Sequence, residues 1–395
     1  MNYLDEGVAG MPERSPAHVL KIALVDLPTR SSEQRAHVTE LAVALSRHSH
    51  EPTVFRHKSD PAAPERVIAR EGYEVVFVPT GTPQPRDDDA ERHLGEIAEF
   101  LAGRWRSSPP DVVHSHGKLA GLAAVTSVDR TRTPVVHSGH GDDSPEPLRS
   151  GDAARLLARE VARFVTTSAA EVPELTRTGV HRARISIVPG GVDLDLFHPD
   201  GAVARKRHAR RIVTVANAES SRGVAELVSV LPLLDDTEVV VVGAGAEARE
   251  LRSFARHAGV AQRVVLAGRV PRSARPALLR SADVVVCLPE TAPFGRIALE
   301  AMACGTPVVA TEVGVLADAV VRGVSGLHVP AGNPRALTRT LTRLLDEVSA
   351  REQLGIAARD RATARYSRDR LARELTSVYA RVADVPVAVS PQAVS

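Results

Sequence analysis

Short apolar runs rich in β-branched residues alternate with Ala-, Leu- and Arg-rich stretches along almost the whole chain. These runs predict strands at 20–27, 74–78, 111–114, 134–137, 163–167, 211–215, 238–242, 264–266, 283–288 and 307–311. Runs this continuously apolar are typical of strands buried on both faces, and the helical stretches between them favour parallel sheets covered by helices. The predicted fold class is therefore α/β and doubly wound.

One break interrupts this alternation near the middle of the chain. The segment His198-Pro199-Asp200-Gly201 has turn chemistry, and the basic stretch that continues to Arg211 has no apolar period. We therefore predict two Rossmann-like domains, at 17–198 and 207–362, whose strands point their carboxyl ends towards a shared cleft.

The two ends of the chain are interpreted separately. An amphipathic stretch at about 366–383 predicts a helix that crosses back onto the first domain. Residues 1–16 and 385–395 lack an apolar pattern, and we expect them to form flexible tails.

Composition and charge narrow the class of protein. A length of 395 residues suits two domains, and 43% hydrophobic with 25% charged residues excludes a disordered chain. The net charge of +2 gives no reason to expect a nucleic-acid partner. Two cysteines, Cys287 and Cys304, are too few for a disulfide framework and favour a reducing compartment. With no signal-peptide pattern and no run of roughly 18 apolar residues, we expect a cytoplasmic protein; its oligomeric state is not predicted.

The most informative segment runs from 289 to 310. A strand is predicted to end at Leu288, and a helix is predicted to start near Gly295 after a turn rich in Pro and Gly. The free N–H groups at such a helix start form an anion site, to which Arg296 adds a formal charge. Glu300, one turn further on, is suited to accept hydrogen bonds from a diol such as a ribose. The alternative is an ordinary helix start with a solvated Glu300.

This segment resembles the glutamate-rich signature of family 4 retaining glycosyltransferases, which have the GT-B fold of two Rossmann-like domains facing a cleft. Other parts of the chain match the family in the same order, and the matches together cover roughly 18–382. Those parts are Asp-Val-Val-His-Ser-His at 111–116, the linker approach at 187–199, and the segments 242–247, 266–271 and 312–330.

The resemblance implies a nucleotide-sugar donor held mainly by the second domain and an acceptor that is a small molecule or a glycan. In this assignment the diphosphate lies near the helix start, Glu300 binds the ribose, and His116 lies near the transferred sugar. The catalytic residues implied are His116, Arg222 and Glu300. The donor-binding residues implied are Gly243, Gly245, Gly268, Val270, Phe294, Gly295, Arg296 and Glu300. The acceptor-side candidates are Asp26, Arg30 and His140; no cofactor is expected besides the donor substrate.

Several positions depart from the family pattern. The family has two carboxylates eight positions apart; Glu300 is the second, but the first falls on Ala292. A basic pair expected after the first strand of the second domain falls on Asn217 and Arg222, so that only one charge is kept. The turn at 28–34 has no glycine. These departures have three possible meanings. The protein uses an unusual donor, another group substitutes for the missing side chains, or the protein no longer transfers sugars.

Three further motifs in the sequence have other interpretations. Gly243 to Ala248 satisfies a dinucleotide-binding pattern, but 262–270 supplies no acidic residue for a ribose. Histidines and aspartates at 114–116 and 137–143 have the residue types of a metal site, but successive strand residues point apart, and no metal is expected. The Arg-rich stretch 351–373 includes acidic residues, so membrane contact has no support although family members work at membranes.

The resulting hypothesis is a retaining transferase, of hexosyl type, in a specialised-metabolite pathway. Arg222, Arg296 and the helix start at Gly295 would stabilise the leaving diphosphate. Asp26 could lie near the acceptor, but a residue at such a strand end more often satisfies a nearby backbone group. The alternative from another class is a catalytically silent relative that binds a nucleotide-sugar or a partner protein.

Overall fold

The computed structural model describes residues 18–384 except 28–31, 59, 61, 80–92, 130–131, 140–151, 217–219, 244 and 246. Two sheets, both mostly parallel, organise this part of the chain. The tails predicted at 1–16 and 385–395 lie outside the described residues.

The first sheet has the strand order β3-β4-β2-β1-β5-β6-β7-β8. Its strands are β1 Lys21–Asp26, β2 Glu51–His57, β3 Arg66–Ile68, β4 Glu74–Val78, β5 Val112–His116, β6 Val135–Ser138, β7 Arg163–Thr166 and β8 Ile185–Ile187. The accompanying helices are α1 Ser32–Arg47, α2 Leu94–Ser107, α3 Lys118–Ser127, α4 Asp152–Glu160 and α5 Val172–Arg177. Among the described strands of this sheet, only β3 pairs antiparallel, at the edge.

The second sheet has the order β11-β10-β9-β12-β13-β14 and is parallel throughout its described pairs. Its strands are β9 Arg210–Ala216, β10 Thr237–Gly243, β11 Val264–Gly268, β12 Val284–Cys287, β13 Val308–Ala310 and β14 Gly326–His328. Its helices are α6 Ser221–Val230, α7 Ala248–His257, α8 Arg275–Arg280, α9 Arg296–Ala303, α10 Gly314–Ala319, α11 Pro334–Asp346 and α12 Val348–Arg365.

Apolar side chains on both faces of each sheet explain the continuous apolar runs. In β1, Ile22 and Leu24 join one core cluster, whereas Ala23 and Val25 join the cluster on the opposite face. In β12, Val285 and Val286 are divided in the same way between two clusters. This two-sided burial is the physical basis of the doubly wound α/β fold that the sequence predicts, and the prediction is confirmed.

A last helix, α13 (Arg368–Ala383), packs on the first sheet although it follows the second in sequence. Leu371, Leu375 and Tyr379 lie in the same core cluster as Leu41 of α1. Ser367 caps the helix, because its hydroxyl accepts a hydrogen bond from the Arg370 N–H at 3.2 Å. The chain therefore passes between the domains twice, once in each direction.

All ten apolar runs coincide with strands, and four other strands have no counterpart among them: β2, β3, β8 and β14. In β2, Pro52, Thr53 and Arg56 interrupt the apolar pattern, and the other three strands are only three residues long. Among the described residues, no helix is both long and apolar enough to cross a membrane.

Candidate active site

Each sheet has a switch point where consecutive strands depart in opposite directions, and ligands bind doubly wound sheets at the carboxyl ends of the strands there. In the first sheet this point lies between β1 and β5, where Asp26 is the register partner of His116. In the second it lies between β9 and β12, and α9 follows β12. Asp26, His116 and the start of α9 therefore lie at the strand ends that bind ligands in this class of fold.

The start of α9 has the geometry of an anion site. Gly295 is its N-cap with φ of 56°, a left-handed conformation that suits glycine. The first-turn N–H groups and the positive end of the helix dipole lie beside the side chain of Arg296. Such an arrangement of N–H donors and positive charge is typical of sites that bind anions such as phosphate.

Glu300 lies one turn further along α9 and is only 4% exposed, so the alternative of a solvated carboxylate is wrong. Arg275 Nη1 of α8 lies 2.9 Å from Glu300 Oε2, and Arg296 Nε lies 3.7 Å from Oε1. Burial raises the pKa of the Glu300 carboxyl, and Arg296 and Arg275 oppose that rise. Glu300 is thus a buried carboxylate with two arginines around it.

The two domains contact each other beside this helix start. The Phe294 ring lies 4.8 Å from the His37 ring of α1, and His37 lies 6.1 Å from the His116 ring. Ala169 N donates to Asp318 Oδ2 at 2.8 Å, which adds a second contact between the domains. Phe294 and His116, predicted from separate motifs, are therefore brought together through His37, which the sequence analysis missed. A lone histidine on a helix carries no motif that would single it out.

Arg222 occupies a more exposed position in the first turn of α6. Its side chain is 84% exposed, and its Nη1 lies 2.9 Å from Glu290 Oε1 in the loop after β12. The helix start is pressed against the end of β12, because a Cβ on Gly223 would lie 2.1 Å from the Leu288 carbonyl oxygen. Arg222 is therefore carried to the strand ends of the second domain; Asn217 lies outside the described residues.

The other donor-binding candidates lie at the ends of β10 and β11 or just after them, at the same edge of the second sheet. Gly243 ends β10 with φ of 91°, where a Cβ would lie 2.4 Å from the Ala216 carbonyl oxygen. Gly268 ends β11 with φ of 60°. A Cβ on Gly268 or on Gly245 would meet none of the described residues within 4 Å. Val270, two residues on, is half-buried and packs on the core. Space beside Gly245 and Gly268 leaves room for a ligand to approach the backbone.

Asp26 has partners inside the first domain. Arg56 Nη2 lies 3.1 Å from its Oδ2, and Gln34 Nε2 donates to its Oδ1 at 3.3 Å. Burial raises the pKa of Asp26, and Arg56 and Gln34 oppose the rise. These contacts favour the interpretation of Asp26 as a residue that satisfies its neighbours. The other acceptor-side candidates, Arg30 and His140, lie outside the described residues.

The histidines on β5 and β6 are core residues. The Tyr379 hydroxyl lies 2.7 Å from His114 Nδ1, and His114 Nε2 lies 3.0 Å from Ser138 Oγ, which donates to the Val165 carbonyl at 2.8 Å. Because that donation uses the Ser138 proton, Nε2 carries the ring proton and Tyr379 donates to Nδ1. In the described part of the chain, no group of His, Cys, Asp or Glu is arranged to hold a metal ion.

An ionic cluster joins the domains behind Glu300. Glu40 of α1 contacts Arg272 at 2.8 Å and Arg368 at 2.6 Å, and Asp193 of the linker contacts Arg368 at 3.0 Å. A small cavity lies between this cluster and α9, lined in part by Arg296 and Glu300. The sequence analysis missed the cluster, because its members come from four distant segments.

Comparisons with known proteins bear on what this site does. Two family models match consecutive parts of the chain, "Glycosyltransferase Family 4" over residues 34–196 and "Glycosyl transferases group 1" over residues 202–361. The chain is 32% identical to the D-inositol 3-phosphate glycosyltransferase of Xylanimonas cellulosilytica, over 87% of this chain and 90% of that protein. It is 30% identical to the protein of the same name from Jonesia denitrificans, with the same shares covered.

Solved structures resemble the fold. Sucrose-phosphate synthase from Thermosynechococcus elongatus matches with a TM-score of 0.82 at 21% identity, over 91% of this chain and 98% of that one. Anabaena HepE in complex with UDP-glucose matches with a TM-score of 0.74 at 18% identity, over 92% of this chain and 100% of that one. Both similarities concern the whole two-domain GT-B architecture.

Proposed function

Because the chain belongs to glycosyltransferase family 4, we propose that it transfers a sugar from a nucleotide-sugar donor to an acceptor with retention at the anomeric carbon. The observation that carries this proposal is the start of α9, where Gly295, Arg296 and the buried Glu300 lie beside a contact between the two domains. An anion site and a diol-binding carboxylate, one helical turn apart, match the diphosphate and ribose of one donor.

The donor diphosphate would bind the N–H groups at the start of α9 and the side chain of Arg296. As the bond to the sugar breaks, negative charge grows on the leaving diphosphate, and donors already fixed in place stabilise it without rearrangement. Arg222 would contribute a further charge, after exchanging its exposed ion pair with Glu290 for the ligand. Contact between the domains would exclude water from the reacting centre and favour the acceptor over hydrolysis.

The transferred sugar would lie on the side of His116, at the carboxyl end of β5. Ala292 places a buried methyl group where the family has its first carboxylate. Sugar hydroxyls facing that position must therefore be bound by another group or be absent from the donor. This supports a donor that differs from an ordinary fully hydroxylated hexose.

The acceptor is the least constrained part of the proposal. Both named relatives are D-inositol 3-phosphate glycosyltransferases, so D-inositol 3-phosphate is the first acceptor to test. The expectation of a specialised-metabolite acceptor stays a prediction.

A turnover assay tests the proposal. The protein is incubated with UDP-, GDP-, ADP- and TDP-sugars, each with D-inositol 3-phosphate and with a panel of small hydroxylated acceptors. A glycosylated product whose anomeric configuration by NMR equals that of the donor supports it. An inverted product, or turnover that Glu300→Gln leaves unchanged, contradicts it.

A silent, nucleotide-sugar-binding relative is the second candidate function, favoured by the apolar surroundings of Ala292. Its side chain packs among the apolar residues of a core cluster of the second domain, surroundings that would not hold a carboxylate in place of the missing one. Ala292→Glu separates the two candidates. An active enzyme with an unusual donor should lose activity or change donor, whereas a silent protein should show no turnover before or after the change.

A further inference from the structure

Arg275 is a largely buried cation that none of the sequence motifs includes. We propose that Arg275 is a positioning residue that pairs with the Glu300 carboxylate and keeps it in place, so that the second carboxylate oxygen can bind a ribose hydroxyl of the donor. This inference rests on the proposed function, because it assigns a role to the donor site described above.

The contacts of Arg275 place it at Glu300. Its side chain is 11% exposed, and its Nη1 lies 2.9 Å from Glu300 Oε2. The guanidinium also lies over the fully buried Phe197 ring, 5.7 Å from the centroid, which restricts where the charge sits. Among the described residues, Glu300 is the ion-pair partner of Arg275. Neither Arg275 Nε nor Glu300 Oε2 has a hydrogen-bond partner there, so the 2.9 Å contact is an ion pair without hydrogen-bond geometry.

The charges around Glu300 come from several elements. Arg296 lies on the same helix, Arg275 on α8, Arg272 in the loop before α8, and Glu40 on α1. Arg296 lies 3.7 Å from Oε1, which is beyond hydrogen-bonding distance, and in the proposed function it turns to the diphosphate. Arg275 is therefore the counter-ion that stays with Glu300 when the donor is bound.

The protonation state of Glu300 decides how it binds a diol. A carboxylate accepts charge-assisted hydrogen bonds from hydroxyl groups, whereas a protonated carboxyl loses that charge. Burial raises the pKa of Glu300, and the Arg275 guanidinium works against this rise. Removing Arg275 should therefore move the protonation of Glu300 to higher pH and weaken recognition of the ribose there.

The test compares ribose recognition across pH. Among UDP, GDP, ADP and TDP, the nucleoside diphosphate with the lowest Kd is titrated calorimetrically beside its 2′,3′-dideoxy form, from pH 5 to pH 9. The variants are Arg275→Leu, Arg275→Lys and the matched control Arg280→Leu. Arg280 lies on the same helix but donates to the carbonyls of Ala202 and His198.

We expect the wild type to bind the ribose form at least tenfold more tightly than the dideoxy form. In Arg275→Leu the pH at which this preference falls to half should rise by at least one unit, while the dideoxy Kd stays within about threefold. Arg275→Lys, which keeps the charge, should behave nearly as the wild type, and so should Arg280→Leu.

Two results would overturn the inference, and they differ from each other. In the first, the wild type binds a nucleoside diphosphate, but Arg275→Leu and Arg280→Leu have the same effect on the preference for the ribose form and on the pH at which it falls to half. Arg275 then has only a structural role. If the wild type binds none of the four, the proposed function itself fails and the role of Arg275 fails with it. If Arg275→Leu does not fold, Arg275→Lys provides the test. A shift from the wild type in the pH at which its ribose preference falls to half would contradict the inference.

Discussion

At the scale of single residues, two histidines of the first domain are buried in a way that links stability to pH. Burial lowers the pKa of His37 to about 3, with a further contribution from Arg296, and burial lowers the pKa of His137 to about 4. The unfolded chain takes up protons near pH 6.5, whereas the folded chain does so only at these lower values. Their stability contribution is therefore complete above pH 6.5 and is lost as the pH falls towards 4.

This linkage gives a first prediction. Between pH 7.5 and 5.5 each of the two histidines should cost about 1.4 kcal/mol of unfolding free energy, measured by urea denaturation followed by circular dichroism. His137→Asn should remove one such contribution and flatten the pH dependence. The same change at the exposed His257 is the control; equal slopes in all three proteins would disprove the linkage.

The arginines at the donor site give a second prediction. Arg296→Ala should raise the Kd of the nucleoside diphosphate about tenfold or more, because it removes charge-assisted hydrogen bonds worth about 1.5–3 kcal/mol. Arg222→Ala should raise it less, since that side chain is 84% exposed and already paired with Glu290. Calorimetry measures both, and unchanged binding in both variants would remove these residues from the site.

At the scale of elements, the position of α6 depends on the absence of a side chain. A Cβ on Gly223 would lie 2.1 Å from the Leu288 carbonyl oxygen at the end of β12. Leu288 follows a strand that borders the switch point, so this contact sets how close the start of α6 lies to the candidate donor site.

A third prediction follows from that contact. Gly223→Ala should destabilise the protein by about 1–3 kcal/mol, as overpacking does, and weaken nucleotide binding as α6 shifts. Gly95→Ala in α2 is a matched control, because a Cβ there meets none of the described residues within 4 Å and alanine favours a helix by up to about 1 kcal/mol. Denaturation curves measure both effects. If the midpoints of the two variants shift from the wild type in the same direction, this account is contradicted.

The elements also show which features of the fold and the site are predictable from the sequence, and why other features are not. Both faces of β1 and β12 are buried, so their apolar runs are visible without a structure. The helix start at Gly295 follows from turn residues close in sequence. His37 and Arg275 escaped because their importance depends on Phe294 and Glu300, which lie 257 and 25 positions away in the sequence.

At the scale of the whole molecule, two chain crossings and one ionic cluster hold the domains together. Val192 N of the outgoing segment donates to the Tyr366 carbonyl at 2.7 Å, and Arg368 N of the returning segment donates to the Val192 carbonyl at 3.2 Å. Glu40 and Asp193 then pair with Arg368 at the start of α13. These ion pairs connect both crossing segments to α1 where the two domains contact each other.

This cluster gives a fourth prediction. Glu40→Met should destabilise the protein by about 3 kcal/mol or more, because it removes one of the two carboxylates that pair with the buried Arg368 guanidinium. The double variant Glu40→Met with Arg368→Met should be less destabilised than the sum of the two single variants, since it removes both charges together. Additive effects in a denaturation-based double-mutant cycle would show that the pair is not coupled.

The central claim is that the second domain binds the nucleotide part of a sugar donor at the start of α9. Calorimetric titration of the purified protein with UDP, GDP, ADP and TDP, with and without magnesium, tests it most directly. The account predicts that one nucleotide binds clearly more tightly than the others, and that Arg296→Ala and Glu300→Gln each weaken this binding. Binding of none of the four, or binding that both variants leave unchanged, would contradict the account.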